Sequence, residues 1–137
     1  MPNRFVLMVI GILAVAGMFF LYNRMQVEEA GITNYPSSGT DIVAFGDSLV
    51  VGYGALKDKD FVSLLSQKIG QPIVNLGENG DTTQKAVGRL KALDKHNPKV
   101  VIILLGGNDA LQRVPIEETF ANLRTIIDKF QANGAAV

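Results

Sequence analysis

The chain has 137 residues, 47% of them apolar and 19% charged, and its 13 basic and 13 acidic side chains cancel. That length leaves one small core once a terminal apolar run is set aside, and no Lys/Arg cluster interleaved with aromatics is present to neutralise a row of phosphates, which excludes nucleic acid as a partner. With no cysteine, disulfides, thiolate metal sites and a cysteine nucleophile are excluded as well.

The first feature in chain order is an uncharged run, FVLMVIGILAVAGMFFLY, from Phe5 to Tyr22, bounded by Arg4 and Arg24. Eighteen such residues approach the length that crosses hydrocarbon, so residues 1–24 are expected to be a membrane anchor or a signal segment. Ala14-Val15-Ala16 offers an A-x-A cleavage site, but Met18 to Leu21 continue the apolar run beyond it, which favours an uncleaved anchor holding the membrane through residues 5–22. Arg4 on one side and Glu28 and Glu29 on the other favour a cytoplasmic amino terminus. The remainder is then expected on the extracytoplasmic face, with secretion after signal cleavage as the alternative. Residues 25–40 include Gly31, Pro36, Ser37, Ser38 and Gly39, show no sustained period, and read as a linker.

Residues 41–137 alternate between two periods. Asp41 to Phe45, Ile73 to Leu76 and Val100 to Leu105 are short apolar runs closed by glycine or polar turns, which predicts strands. The last is apolar at every position, as a central strand covered on both faces would be. Helical spacing places Phe61, Leu64, Leu65 and Ile69 on one face before Gly70, and Ile116, Phe120, Leu123, Ile127 and Phe130 on another. Pro115 with Glu117 and Glu118 opens that last helix, and Asn133-Gly134 closes it. A middle helix is expected over Thr82 to Lys95, with Asp81 as N-cap and Gln84 three residues on. Strand and helix alternating three times predicts an α/β fold, a parallel sheet between helical layers in a three-layer αβα arrangement.

Sites in open parallel sheets form at the carboxyl ends of the strands. Three polar clusters fall there: Gly46-Asp47-Ser48-Leu49, Gly77-Glu78-Asn79-Gly80-Asp81 and Gly106-Gly107-Asn108-Asp109. Each alone is better read as turn or cap chemistry. Together they bring a hydroxyl, a flexible backbone amide and a carboxamide to one edge, which are the parts acyl transfer needs. Gly52-Tyr53-Gly54 has Lys57 where a dinucleotide fingerprint needs a third glycine, so a nucleotide reading fails.

These clusters resemble the sequence blocks of the GDSL esterases and lipases, also called SGNH hydrolases. Gly46-Asp47-Ser48-Leu49 resembles the first block, Gly80 within Asn79-Gly80-Asp81-Thr82 the second, and Gly106-Gly107-Asn108-Asp109 the third. The likeness spans Asp41 to Val137 and is nearest to the thioesterase, lysophospholipase and arylesterase branch. It implies the SGNH-hydrolase, flavodoxin-like fold. It further implies that Ser48 is the nucleophile, and that the Ser48 amide, the Gly80 amide and the Asn108 side chain form an oxyanion hole. The implied reaction is hydrolysis of a small acyl ester, thioester or lysolipid through an acyl-enzyme, with no cofactor and no metal. Asp47 and Asp109 are expected as turn and helix-cap groups.

The family's last block, D-x-x-H, which supplies the general base, is not in this sequence. The one histidine, His96, stands just before the third predicted strand, at the opposite edge of the sheet from Ser48, roughly 20 Å away for six residues at about 3.3 Å each. It is expected to be a surface turn residue. Ala135-Ala136-Val137 look like the start of a fourth strand, so the fold is expected to be incomplete at the C-terminus and the chain to hydrolyse little ester by itself. A non-catalytic, membrane-anchored module that binds an acylated ligand or a protein is the alternative, and an aggregating fragment a third.

Overall fold

The computed structural model of the chain describes Gly17 and residues 32–137. Apart from Gly17, the expected anchor over residues 1–24 lies outside the described residues, and so do residues 25–31 of the expected linker. Among the described residues no helix is long and apolar enough to cross a membrane. Residues 32–40 form turns and bends without helix or strand. They are held where Asn34 Nδ2 donates to the carbonyls of Gln131 at 2.6 Å and Ala135 at 3.0 Å, and at their end, where the Thr40 amide donates to the Asn97 carbonyl at 2.8 Å.

The sheet forms because three Val/Ile-rich segments pair in parallel, the arrangement that strand–helix–strand connections impose. β1 (Asp41–Gly46) lies between β2 (Ile73–Gly77) and β3 (Pro98–Leu104). Phe45 stands opposite Leu76 and Ile103, and Gly46 opposite Gly77 and Leu104, so the strands end nearly level. The very apolar third strand therefore borders the described sheet, and β1 is its centre. The reason is topological: the first crossover sets β2 on one side of β1 and the second sets β3 on the other. Val100 and Leu104 are partly exposed at that border. The expected start of a fourth strand is visible at its amino end, where Ala136 pairs in parallel with Val100 and exchanges hydrogen bonds with Lys99 and Val101.

Side chains alternate across a strand, and β1 therefore feeds two cores. On one face Val43 and Phe45 pack with Val101, Ala86, Leu93, Ile126, Phe130 and Ala135; on the other Ala44 packs with Val50, Val62 and Ile73. The first layer comes from α3 (Thr83–Gly88), a 3₁₀ stretch over Leu90–Lys95 and α5 (Ile116–Ala132). The second comes from α1 (Ser48–Val51) and α2 (Phe61–Ile69). A short α4 (Gly107–Leu111) follows β3. This is the three-layer αβα arrangement the alternation predicts.

Three expectations need correction. In α2 the inward residue is Val62, fully packed, whereas Phe61, Leu64 and Ile69 of the expected face are partly exposed. In α5 the buried anchors are Ile126 and Phe130, while Ile116 and Phe120 at its amino end remain exposed. Phe130 meets Phe45 edge to face, with ring centroids 5.5 Å apart, a geometry that aromatic quadrupoles favour. The middle helix is not one α-helix over Thr82 to Lys95, nor is Asp81 its cap. Thr82 Oγ1 accepts from the Lys85 amide, and regular helix stops at Gly88. Glycine weakens helix by about 1 kcal/mol, and the next residue, Arg89, takes φ −103° and ψ 8° as its side chain turns back to the sheet.

Candidate active site

The carboxyl end of β1 runs straight into α1. Asp47 takes an extended conformation as N-cap and its carboxylate accepts from the Leu49 amide at 2.9 Å, which opens the helix at Ser48. Asp47 thus plays the capping part expected of it. Gly46 permits this turn: a Cβ there would stand 2.0 Å from the Leu104 carbonyl oxygen and 2.6 Å from Val50 Cγ2, so no larger residue fits the crossing beneath the serine.

Ser48 is half-buried and shares an open cleft of about 260 Å³ with Tyr53, Asn79 and Gly80. Gly80 sits at φ +74°, where a side chain is strained although space is open around it. Among the described residues neither the Ser48 amide nor the Gly80 amide donates to another group. The loop between them is tied instead through Glu78, whose amide donates to the Gly46 carbonyl at 2.9 Å, and Asp81, whose amide donates to Glu78. Two free N–H groups therefore stand on one cleft, beside a hydroxyl.

Asn108, in the first turn of α4, is half-buried, and its Nδ2 donates to the Asp81 carbonyl at 2.7 Å. It is thus fastened one residue past Gly80 rather than lining the cleft wall itself. A carboxamide nitrogen carries two protons, so this bond orients the group and leaves one N–H. Asp109 departs from the expected cap role. The cap of α4 is Gly106, with no side-chain bond, and the buried Asp109 carboxyl reaches across to Thr83, accepting from its amide at 2.9 Å and its hydroxyl at 2.5 Å. Asn122 Nδ2 on α5 donates to the same hydroxyl at 3.1 Å. The second and third clusters are therefore joined below the cleft.

His96 caps the 3₁₀ stretch, with its amide donating to Leu93. It is only partly exposed, and its Nε2 is buried without a hydrogen-bond partner, so it is less of a surface residue than expected. Its neighbour Asn97 pairs with Asp41 at the amino end of β1, which leaves His96 at the edge of the sheet away from Ser48. Among the described residues no group of three or more His, Asp or Glu side chains is arranged to hold a metal ion.

Two residues of this edge escaped the sequence reading as site elements. Tyr53 enters through its place on the cleft. Arg89 enters through three hydrogen bonds, to Asp81 Oδ2 at 2.6 Å and to the carbonyls of Leu76 and Gly46 at 2.9 Å each. The helical spacing of Asp81, Lys85 and Arg89 was the available signal.

A parallel sheet between helical layers, with its polar groups gathered at the carboxyl edge, defines an α/β protein of the kind that binds ligands at that edge. The sequence profile of the GDSL-like Lipase/Acylhydrolase family matches residues 44–137. An arylesterase of Vibrio mimicus is 36% identical over 102 residues, 70% of this chain and 51% of that protein. Thioesterase 1/protease 1/lysophospholipase L1 of Escherichia coli K12 is 34% identical over 107 residues, 76% of this chain and 51% of its own length. The crystal structure of the SGNH-hydrolase family esterase AlinE4 is 37% identical, covers 70% of this chain and 56% of its own, and superposes with a TM-score of 0.62. The chain belongs to the GDSL-like lipase/acylhydrolase family, has the SGNH-hydrolase fold, and spans about half the length of the curated relatives it matches.

Proposed function

We propose that this chain supplies the nucleophile and oxyanion donors of an acyl-ester or thioester hydrolase. The observation that carries the reading is Ser48 and Gly80 on one cleft, each with an unengaged amide. Ser48 Oγ attacks the substrate carbonyl carbon, and the charge that develops on its oxygen is received by the Ser48 and Gly80 amides and by the remaining Asn108 N–H. The tetrahedral intermediate collapses by breaking the bond to the alcohol or thiol, which leaves with the proton taken from Ser48, and water then hydrolyses the acyl-serine to the carboxylic acid and the free hydroxyl. Attack requires a base to accept the hydroxyl proton, and the residues that line the cleft with Ser48, namely Tyr53, Asn79 and Gly80, include no histidine or carboxylate. This chain by itself is therefore expected to hydrolyse little ester. The substrate class is a small acyl ester, thioester or lysolipid, supported by relatives named arylesterase and thioesterase.

The test joins this chain to the segment of the Vibrio mimicus arylesterase that lies beyond its matched region. The chimera should hydrolyse p-nitrophenyl acetate, and Ser48→Ala should abolish it; activity that survives the substitution refutes the assignment. A second reading follows from the missing base, that the cleft binds an acylated ligand without turning it over. A chimera that binds such esters and never hydrolyses them would support it. The apolar run at residues 5–22 supports a further part of the proposal, a tether that places the cleft on the extracytoplasmic face. Fractionation of expressing cells should find the chain in the membrane and its cleft side open to external protease.

A further inference from the structure

Arg89 ties together the ends of β1 and β2, from which two of the cleft's loops run; the Gly46 carbonyl that it reaches also accepts from the Glu78 amide. Its guanidinium lies over the Phe45 ring, 4.1 Å from ring centroid to Cζ. From there it reaches the Gly46 carbonyl, two residues before Ser48, and the Leu76 carbonyl, one residue before the end of β2. It also pairs with the buried Asp81 carboxylate, directly after Gly80. A planar, permanently charged group with five donors in fixed directions suits such a junction; lysine, with one ammonium on a flexible stem, does not reproduce it. The packing against Phe45 keeps the fork in plane and partly desolvated, where its bonds are strongest. The same residue therefore meets the segment that carries the hydroxyl and the segment that carries the second amide donor.

We propose that Arg89 is a positioning residue: it fixes the distance between Ser48 and the Gly80 amide and so sets the reactivity of the serine. This rests on Ser48 being the nucleophile. It acts through backbone and touches no substrate.

The experiment uses the arylesterase chimera, which supplies the base, and compares wild type, Arg89→Met, Arg89→Lys, Asp81→Asn and Ser48→Ala. Labelling of Ser48 by an alkyl fluorophosphonate is followed by intact mass, with ¹⁵N amide spectra and thermal melts recorded on each variant. Arg89→Met is expected to label at least ~10-fold more slowly than wild type, and Arg89→Lys at an intermediate rate. The Ser48 and Gly80 amides should shift in Arg89→Met, whereas Asp81→Asn, which keeps the bonds to Gly46 and Leu76, should move Gly80 more than Ser48. If Arg89→Met fails to fold, the Asp81→Asn pattern decides. Labelling of Arg89→Met within twofold of wild type overturns the proposal. Wild type that does not label, or labels equally in Ser48→Ala, refutes the nucleophile instead; unchanged Ser48 and Gly80 amides in Arg89→Met then overturn the proposal separately.

Discussion

Asp109→Ala tests whether the second and third loops are held as one unit. The carboxyl is 1% exposed and takes two hydrogen bonds from Thr83, one from its amide and one from its hydroxyl. Alanine removes both and leaves two donors that no water reaches. A bond to a charged group is worth about 1.5–3 kcal/mol and a stranded buried donor costs about 1–3 kcal/mol. Since these figures overlap as descriptions of one loss, the expected destabilisation is roughly 3–5 kcal/mol, a large part of a total near 5–15 kcal/mol. Asp109→Asn retains one acceptor and should lose about half as much. Thr83→Val removes only the hydroxyl, and the double variant should show strong coupling because the two residues are each other's partners. Urea unfolding followed by circular dichroism measures all four, the sequence having no tryptophan. Asp109→Ala within about 1 kcal/mol of wild type would refute the reasoning, since a buried unsatisfied pair of donors cannot be that cheap.

Further outcomes are open to direct measurement. In the arylesterase chimera, Asn108→Ala should lower turnover on the order of a hundred- to a thousandfold with melting temperature nearly unchanged; a full-rate variant would remove Asn108 from the oxyanion hole. His96→Ala in the same chimera should leave ester hydrolysis unaltered, and a loss above tenfold in steady-state assays would contradict its place at the far edge. Phe130→Ala, which empties the contact with Phe45, should cost about 3–5 kcal/mol in urea unfolding. Bonds from the Ser63 hydroxyl and amide lower the Asp60 carboxyl below its ordinary 3.8. The α2 cap is thus fully present above that value and is lost as pH falls through the lowered one. Thermal melts from pH 6 downward should show wild type losing stability below about pH 4 more steeply than Asp60→Asn, and parallel curves would disprove the linkage.

Most of the architecture is legible because period and punctuation are local properties. Val43, Phe45 and their neighbours announce strands, and Gly70 and Pro115 mark helix limits that the structure keeps. What sequence does not convey is direction around an element. Whether Val62 or Phe61 faces the sheet depends on how α2 crosses it, and Ile116 and Phe120 satisfy a helical period without meeting a core. The place of β3 at the border of the described sheet is likewise decided by crossovers rather than by its composition. At the site, Ser48 and Gly80 are readable because a polar cluster after a strand is conspicuous. The bond of Asp109 to Thr83 and that of Arg89 to Gly46 are not legible because the partners lie 26 and 43 residues away along the chain, and a long-range hydrogen bond has no local signature.

The central claim is that Ser48 is the nucleophile, and one measurement addresses it without intermediaries. An alkyl fluorophosphonate is added to the active arylesterase chimera, and the protein is digested and sequenced by tandem mass spectrometry at several degrees of inactivation. The expected result is a single adduct on Ser48 whose occupancy rises in step with lost activity. Complete inactivation with Ser48 unmodified would contradict the account.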